Sequence, residues 1–230
     1  MTYDLYIGDR AFSSWSLRGW LMFEKFDIPV RTHLVGLYSG TMQADLAPLA
    51  PARLVPAVLT PEGTPIGESL AIAETLAERH PQAGHWPSDP AQRATARWLC
   101  SEMATGFREL RTECPMQLLR SYSGFAPSAG VRADLERIET LFAHARKLSG
   151  ASDGWLFGDY SLADVFYTPV AARVVGYGLP VAEDTREYCL ALLSDTAVQA
   201  WRKAALEISY NPEPYRMDLP SEDWPVPLLT

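Results

Sequence analysis

Proline 56 lies inside a run that otherwise reads as a β-strand, and it restricts the fold more than any other residue. The segment Arg53-Leu54-Val55-Pro56-Ala57-Val58 continues through Leu59 and stops at Pro61-Glu62-Gly63, a strand-to-hairpin pattern. Proline donates no backbone hydrogen bond, so it belongs on an edge strand, at a first strand position or in a bulge. Its ring holds the preceding Val55 in an extended conformation. A cis Val55-Pro56 bond, the minority form of X–Pro bonds, would turn the N–H and C=O of Val55 outward, where an extended peptide can pair as an added strand. An ordinary trans edge proline is the competing reading.

The pattern around this hairpin narrows the choice. Tyr3 to Gly8 alternates as a strand, with Tyr3, Leu5 and Ile7 on one face. Ser16 to Phe26 has helical periodicity through Leu17, Trp20, Leu21 and Phe23, and Val30 to Val35 suits a second strand. Gly36 to Ala52, broken by Gly40, Pro48 and Pro51, reads as irregular with room for one helical turn. After the hairpin (Val55–Leu59 and Pro65-Ile66), Ser69–Arg79 is a helix with Leu70, Ala73, Leu76 and Ala77 on one face. The order β-α-β-(loop)-β-β-α predicts a mixed sheet with helices on its faces. Residues 81–90, Pro-Gln-Ala-Gly-His-Trp-Pro-Ser-Asp-Pro, form the best boundary in the chain. Beyond it only helical periodicity appears, roughly at 91–121, 128–148, 161–176, 184–194 and 196–207. An α/β domain over 1–80, a linker over 81–90, an all-α domain over 91–209 and an extended proline-rich tail over 210–230 are therefore expected.

Charge and composition remove several function classes. A net charge of −8 argues against nucleic-acid binding, which needs clustered Lys and Arg. No run approaches the length of apolar residues that spans a membrane, and the start Met1-Thr2-Tyr3-Asp4-Leu5 lacks the basic and apolar regions of a secretory signal. Cys100, Cys114 and Cys189 are widely spaced and form no C-x-x-C, so a reducing cytoplasm is expected. His33, His80, His85 and His144 show no metal-ligand spacing, and no metal is expected.

Four features remain. Phe12-Ser13-Ser14-Trp15-Ser16-Leu17-Arg18 enters the first helix. A helix N-terminus carries partial positive charge and unpaired N–H groups, and it lowers thiol pKa values. A serine hydroxyl there can hold a thiolate, while the plainer reading makes Ser13 or Ser14 an N-cap. The second feature is Val55-Pro56. The third, Gly67-Glu68-Ser69, opens a helix: Ser69 is a natural N-cap, or its hydroxyl takes the carboxylate of an amino-acid head group while Glu68 faces the ammonium. The fourth, Ser161-Leu162-Ala163-Asp164, is a capping box with Tyr160 and Val165 spaced as a hydrophobic staple, and it is structural.

Together the serine loop, the Val-Pro pair, the Glu-Ser helix start and the Ser-Leu-Ala-Asp box resemble the glutathione S-transferase family over about residues 3–207. The resemblance implies a thioredoxin-like N-terminal domain that binds glutathione, an all-α C-terminal domain that helps bind an electrophile, a role in detoxification, and a homodimer. Ser-Ser-Trp-Ser-Leu-Arg is similar to the Ser-Ser-x-Ser-x-Arg run of zeta-class members, which include maleylacetoacetate isomerases. On this resemblance Ser13 takes the place of the serine that hydrogen-bonds the thiol, with Ser14 its neighbour. Arg18, Val55, Pro56, Glu68 and Ser69 take the place of glutathione contacts. The chain departs from the pattern at Trp15, where the zeta-type run has cysteine, and at Leu54, which is often basic or polar in the family.

The implied activity is conjugation of glutathione, as a thiolate, to a small and mostly apolar electrophile. Glutathione-dependent isomerisation, peroxide reduction and a non-catalytic glutathione-binding module are the alternatives. A serine rather than a cysteine in the loop disfavours disulfide reduction. Helical spacing would put Met103, Phe107 and Arg111 on one face toward an electrophile pocket, or toward a domain interface.

Overall fold

The computed structural model describes residues 2–207 and 212–228. The first 80 residues contain β1 (Tyr3–Ile7), α1 (Ser14–Glu24), β2 (Val30–Leu34), α2 (Met42–Asp45), β3 (Ala57–Leu59), β4 (Pro65–Ile66) and α3 (Ser69–Arg79). The strands form one sheet in the order β2-β1-β3-β4, with β1 parallel to β2 and antiparallel to β3, and β4 antiparallel to β3. This is the thioredoxin-like arrangement that the resemblance implies. β1 alternates as its sequence predicts: Tyr3, Leu5 and Ile7 are buried, and Asp4 and Tyr6 are partly exposed. The irregular stretch holds α2 and a 3-10 turn, Ala47–Leu49.

The position of Pro56 corrects the edge reading. It immediately precedes Ala57, the first residue of β3, and β3 lies between β1 and β4. Of the places open to proline, the one used is the start of an interior strand. The Val55-Pro56 peptide is cis, and so is Ala50-Pro51. Gly19 allows α1 to sit on this segment, because a Cβ built on Gly19 would lie 2.5 Å from the Pro56 ring.

The helical part contains α4 (Pro90–Thr105), α5 (Arg108–Glu113), α6 (Ala129–Ser149), α7 (Leu162–Gly176), α8 (Glu183–Ser194) and α9 (Thr196–Ala205). Every residue of α7 is buried, including Arg173. One apolar core runs from Leu5 and Phe23 of the sheet half through Phe166 and Tyr167 of α7 to Trp201 of α9. The capping box at the start of α7 is present. Asp164 accepts from the Ser161 backbone N–H at 2.8 Å, and the Ser161 Oγ accepts from the Ala163 N–H at 3.3 Å.

The predicted helix over 91–121 breaks. Gly106 ends α4, Phe107 adopts a left-handed φ of 54°, and α5 starts anew with the Leu110 N–H bonded to Asp134 Oδ2 at 2.9 Å. Pro115 follows the end of α5. Gly106 and Pro115 are both stop features that apolar periodicity alone passes over.

The described tail is anchored at a few points and otherwise largely exposed, while Tyr210, Asn211 and residues 229–230 lie outside the described residues. A 3-10 turn spans Glu213–Tyr215, and β6 (Ser221–Glu222) pairs antiparallel with β5 (Ser121–Tyr122). Trp224 and Val226 are buried in the main core.

Candidate active site

Register gathers the sequence features at one end of the sheet. Tyr6 near the end of β1 faces Ala57 at the start of β3, and Val58 faces Ile66 at the end of β4. The loop into α1, the Val55-Pro56 pair and the Gly67-Glu68 step therefore leave the sheet at the same end. Leu34, the last residue of the parallel β2, lies beside Ile7 at that end as well. Sites of this kind form where loops leave the strand ends of a sheet with helix N-termini beside them.

Ser13 is the N-cap of α1, with extended backbone geometry and its Oγ accepting from the Ser16 N–H at 3.2 Å. The same hydroxyl donates to Ser16 Oγ at 2.8 Å, and Ser16 Oγ accepts from the Gly8 N–H at 2.8 Å. Capping thus fixes the Ser13 side chain at the positive end of the helix. Ser14 is the first helical residue and is partly exposed. Ser16 was not singled out from sequence, although its place three residues after a serine cap is where a capping partner falls.

Glu68 rather than Ser69 is the N-cap of α3, and Ser69 is buried as its first residue. Glu68 is exposed and held at φ 63°, ψ 125°, a combination that L-residues rarely adopt. Strained backbone of this kind collects at ligand clamps. Arg53, Leu54, Gly67 and Glu68 line a cavity of about 430 Å³, so the residues just before Val55-Pro56 share one recess with Glu68. A larger cavity of about 900 Å³ opens beside the loop into α1, between Arg10, Leu37, Tyr38, Ala204 and Pro212. Tyr38 donates to the Tyr215 hydroxyl at 2.7 Å along its margin, and Phe12 packs at a tilt against Tyr215 with ring centres 4.7 Å apart.

The helix break removes the basis for a common face of Met103, Phe107 and Arg111. Met103 is 0% exposed and Phe107 5%, both in the main core, and only Arg111 is partly open. Arg18 also lies away from solvent, at 1% exposure, where its Nε donates to the Phe166 carbonyl at 2.9 Å. Its guanidinium lies 4.5 Å from the centre of the Trp15 ring, and that of Arg111 lies 5.1 Å from the same ring. Trp15 thus joins α1 to α5. Burial, with repulsion from Arg173 and then Arg111, brings the Arg18 guanidinium down to about 9, so it remains charged at neutral pH. Sequence reading missed Arg173, because a lone arginine inside an apolar helix carries no spacing pattern.

A family model described as the glutathione S-transferase N-terminal domain matches residues 12–79. A probable maleylacetoacetate isomerase of Caenorhabditis elegans is 31% identical over 168 residues, covering 71% of this chain and 77% of that protein. A maleylacetoacetate isomerase of Pseudomonas aeruginosa is 30% identical over 187 residues, covering 76% and 82%. Among solved structures, a Burkholderia glutathione transferase homologue with bound glutathione has a TM-score of 0.68 at 22% identity, covering 90% of this chain and 100% of that one. An Omega 2S glutathione transferase of Trametes versicolor has a TM-score of 0.67 at 19% identity, covering 94% and 99%. With a serine-capped α1, the cis Val55-Pro56 pair and Glu68 at one sheet end, and with these relatives, the chain belongs to the glutathione S-transferase family.

Proposed function

We propose that the protein is a cytoplasmic, homodimeric glutathione transferase that conjugates glutathione to a mostly apolar electrophile. The observation that carries this reading is the Ser13 hydroxyl, held as the cap of α1 at the sheet end where Val55-Pro56 and Glu68 converge. In this reading the Val55 backbone pairs with the cysteinyl part of glutathione, Glu68 takes the γ-glutamyl ammonium, and Ser69 with the start of α3 takes its carboxylate. The thiol proton leaves to water, and the electron pair stays on sulfur. The Ser13 O–H and the α1 N-terminus stabilise that thiolate, as preorganised donors aimed at a developing charge do. The sulfur then forms a bond to the electrophilic carbon as the leaving group departs with its bonding electrons. The cavity beside Arg10 and Tyr38 offers space for the acceptor, in place of Met103 and Phe107.

Calorimetric titration with glutathione and turnover of a model aryl halide test the proposal. Binding with turnover supports it; binding without conjugation across a broad electrophile panel would support a non-catalytic module. A second reading is favoured by the named isomerases among the relatives and by the Ser-Ser-Trp-Ser-Leu-Arg run. It is glutathione-dependent isomerisation of maleylacetoacetate, in which the thiolate adds to the substrate and leaves again after bond rotation. Recovery of unconsumed glutathione with isomerised product would select it.

A further inference from the structure

Arg10 stands in the turn that leads from β1 into α1. The Ser13 N–H donates to the Asp9 carbonyl at 2.9 Å and the Ala11 N–H to Asp9 Oδ1 at 2.8 Å, so Arg10 and Ser13 belong to one closed turn. α9 pins Arg10 in place. Trp201 Nε1 donates to the Arg10 carbonyl at 2.8 Å, and the Arg10 guanidinium lies 5.6 Å from the centre of the Trp201 ring. Arg10 is partly buried and lines the cavity of about 900 Å³ beside the loop into α1. Among the described residues its guanidinium enters no ion pair and makes no hydrogen bond.

The other charged side chains of that cavity are placed differently. Arg216 is ion-paired with Glu213. Asp9 directs a carboxylate oxygen to its own turn, and Glu207 is exposed beyond the end of α9. Leu34, Val35 and Ala204 supply apolar wall. A guanidinium is a planar fork of N–H donors that fits a carboxylate two bonds at a time, and it stays charged at any ordinary pH. Cations drawn out of water are normally paired with an anion. The cavity therefore presents one cationic fork on an apolar wall, three residues before the serine assigned to the thiolate.

We propose that the acceptor carries a carboxylate and that Arg10 is the residue that selects it. The inference rests on the glutathione reading above and narrows its acceptor class to an apolar electrophile with one acidic group. Ser13 holds the sulfur at one end of the turn and Arg10 holds the carboxylate at the other, which orients the electrophilic carbon toward the sulfur. The Trp201 contacts order the arginine before the acceptor arrives, so less side-chain freedom is lost on binding.

The test compares two glutathione thioethers by calorimetry: S-(4-carboxy-2-nitrophenyl)glutathione, and the same conjugate with its aryl carboxyl as the methyl ester. They differ only in the charge of the acceptor part. The acid should bind about tenfold or more tightly than the ester. Arg10→Met should abolish that preference, with affinity for glutathione itself changed by less than about threefold. Arg10→Lys keeps the charge without the fork and should leave an intermediate preference. Raising ionic strength from about 0.01 M to about 1 M should narrow the ratio, as the screening length falls from about 30 Å to about 3 Å. Should Arg10→Met fail to fold, Arg10→Gln decides in its place. Equal or weaker binding of the acid to the unmodified protein, or a preference that survives loss of the guanidinium, overturns the inference and leaves the glutathione site standing. Absence of glutathione binding to the unmodified protein overturns both.

Discussion

Ser13 Oγ and Ser16 Oγ lie 2.8 Å apart at the first turn of α1, and the Ser16 oxygen is also fixed by the Gly8 N–H. The pair works as a cap. Its hydroxyl protons can reorder, so that Ser16 donates to Ser13 and the Ser13 proton turns to a sulfur anion.

Ser13→Ala removes that donor together with the cap. Turnover of a model aryl halide should fall tenfold or more, while glutathione affinity changes by less than about threefold. The lost cap should cost about 1 kcal/mol of stability, which a denaturant titration reads separately from the kinetics. Unchanged turnover would move the role to Ser14.

Glu68 combines the carboxylate proposed to hold the glutathione ammonium with a backbone that suits glycine better. At φ 63°, ψ 125° a non-glycine residue costs about 1–3 kcal/mol. Glu68→Gly should therefore hold or raise the melting temperature while weakening glutathione binding by about tenfold or more, through loss of a charge-assisted contact to the ammonium. A binding constant that does not move would remove Glu68 from the site.

Much of this architecture is legible in the sequence because local rules agree with the fold. The alternation of Tyr3, Leu5 and Ile7 and the S-x-x-D box at Ser161 each appear where the pattern places them. The reading failed where a single backbone residue outweighs periodicity. Gly106 and the left-handed Phe107 split one expected helix into α4 and α5, which buries Met103 and Phe107 in the core. The interior position of β3 depends on pairing with β1 and β4, a long-range choice that the local proline rule leaves open.

Asp164 collects four donors inside the helical half: the Ser161 N–H and hydroxyl, the Leu156 N–H at 3.3 Å and the Tyr188 hydroxyl at 2.8 Å. Burial nevertheless pushes its carboxyl above the usual range. Ser161→Ala should cost about 1–2 kcal/mol in a denaturant titration. Asp164→Ala should cost more, about 3 kcal/mol, because it strands buried donors.

His85 supplies a pH dependence. Its Nε2 lies 3.2 Å from the Met22 carbonyl, its Nδ1 is buried without a partner among the described residues, and its ring stacks on Phe26 at 4.1 Å. A carbonyl accepts only from a protonated Nε2, so the ring is the neutral Nε2–H tautomer. Burial, with a smaller push from His80, brings its pKa from 6.5 down to about 4. The unfolded chain then binds a proton that the folded chain refuses between those values. Stability should be full above pH 6.5 and fall as pH drops toward about 4, by on the order of 3 kcal/mol for this residue. His85→Phe should flatten that part of a stability-against-pH curve, and an equally steep curve would rule the residue out as its source.

Trp224 anchors the tail. Its ring is 8% exposed, lies 5.4 Å from the Arg202 guanidinium, and would meet a Cβ built on Gly176 at 3.2 Å. The absence of a side chain at Gly176 is thus what lets the ring lie against α7. Pairing of β6 with β5, and the Ser121 hydroxyl donating to the Asp223 carbonyl at 2.9 Å, deliver Trp224 to that spot. Trp224→Ala should lower unfolding stability by about 3 kcal/mol through the cavity it leaves, and Gly176→Ala should lower it less, by forcing the ring outward. Because Trp224 lies in the helical core and not at the sheet end that holds Glu68, glutathione affinity should stay within about twofold in both variants while the denaturant midpoint falls. A midpoint that stays in place would mean the tail contributes little to the fold, despite its buried ring.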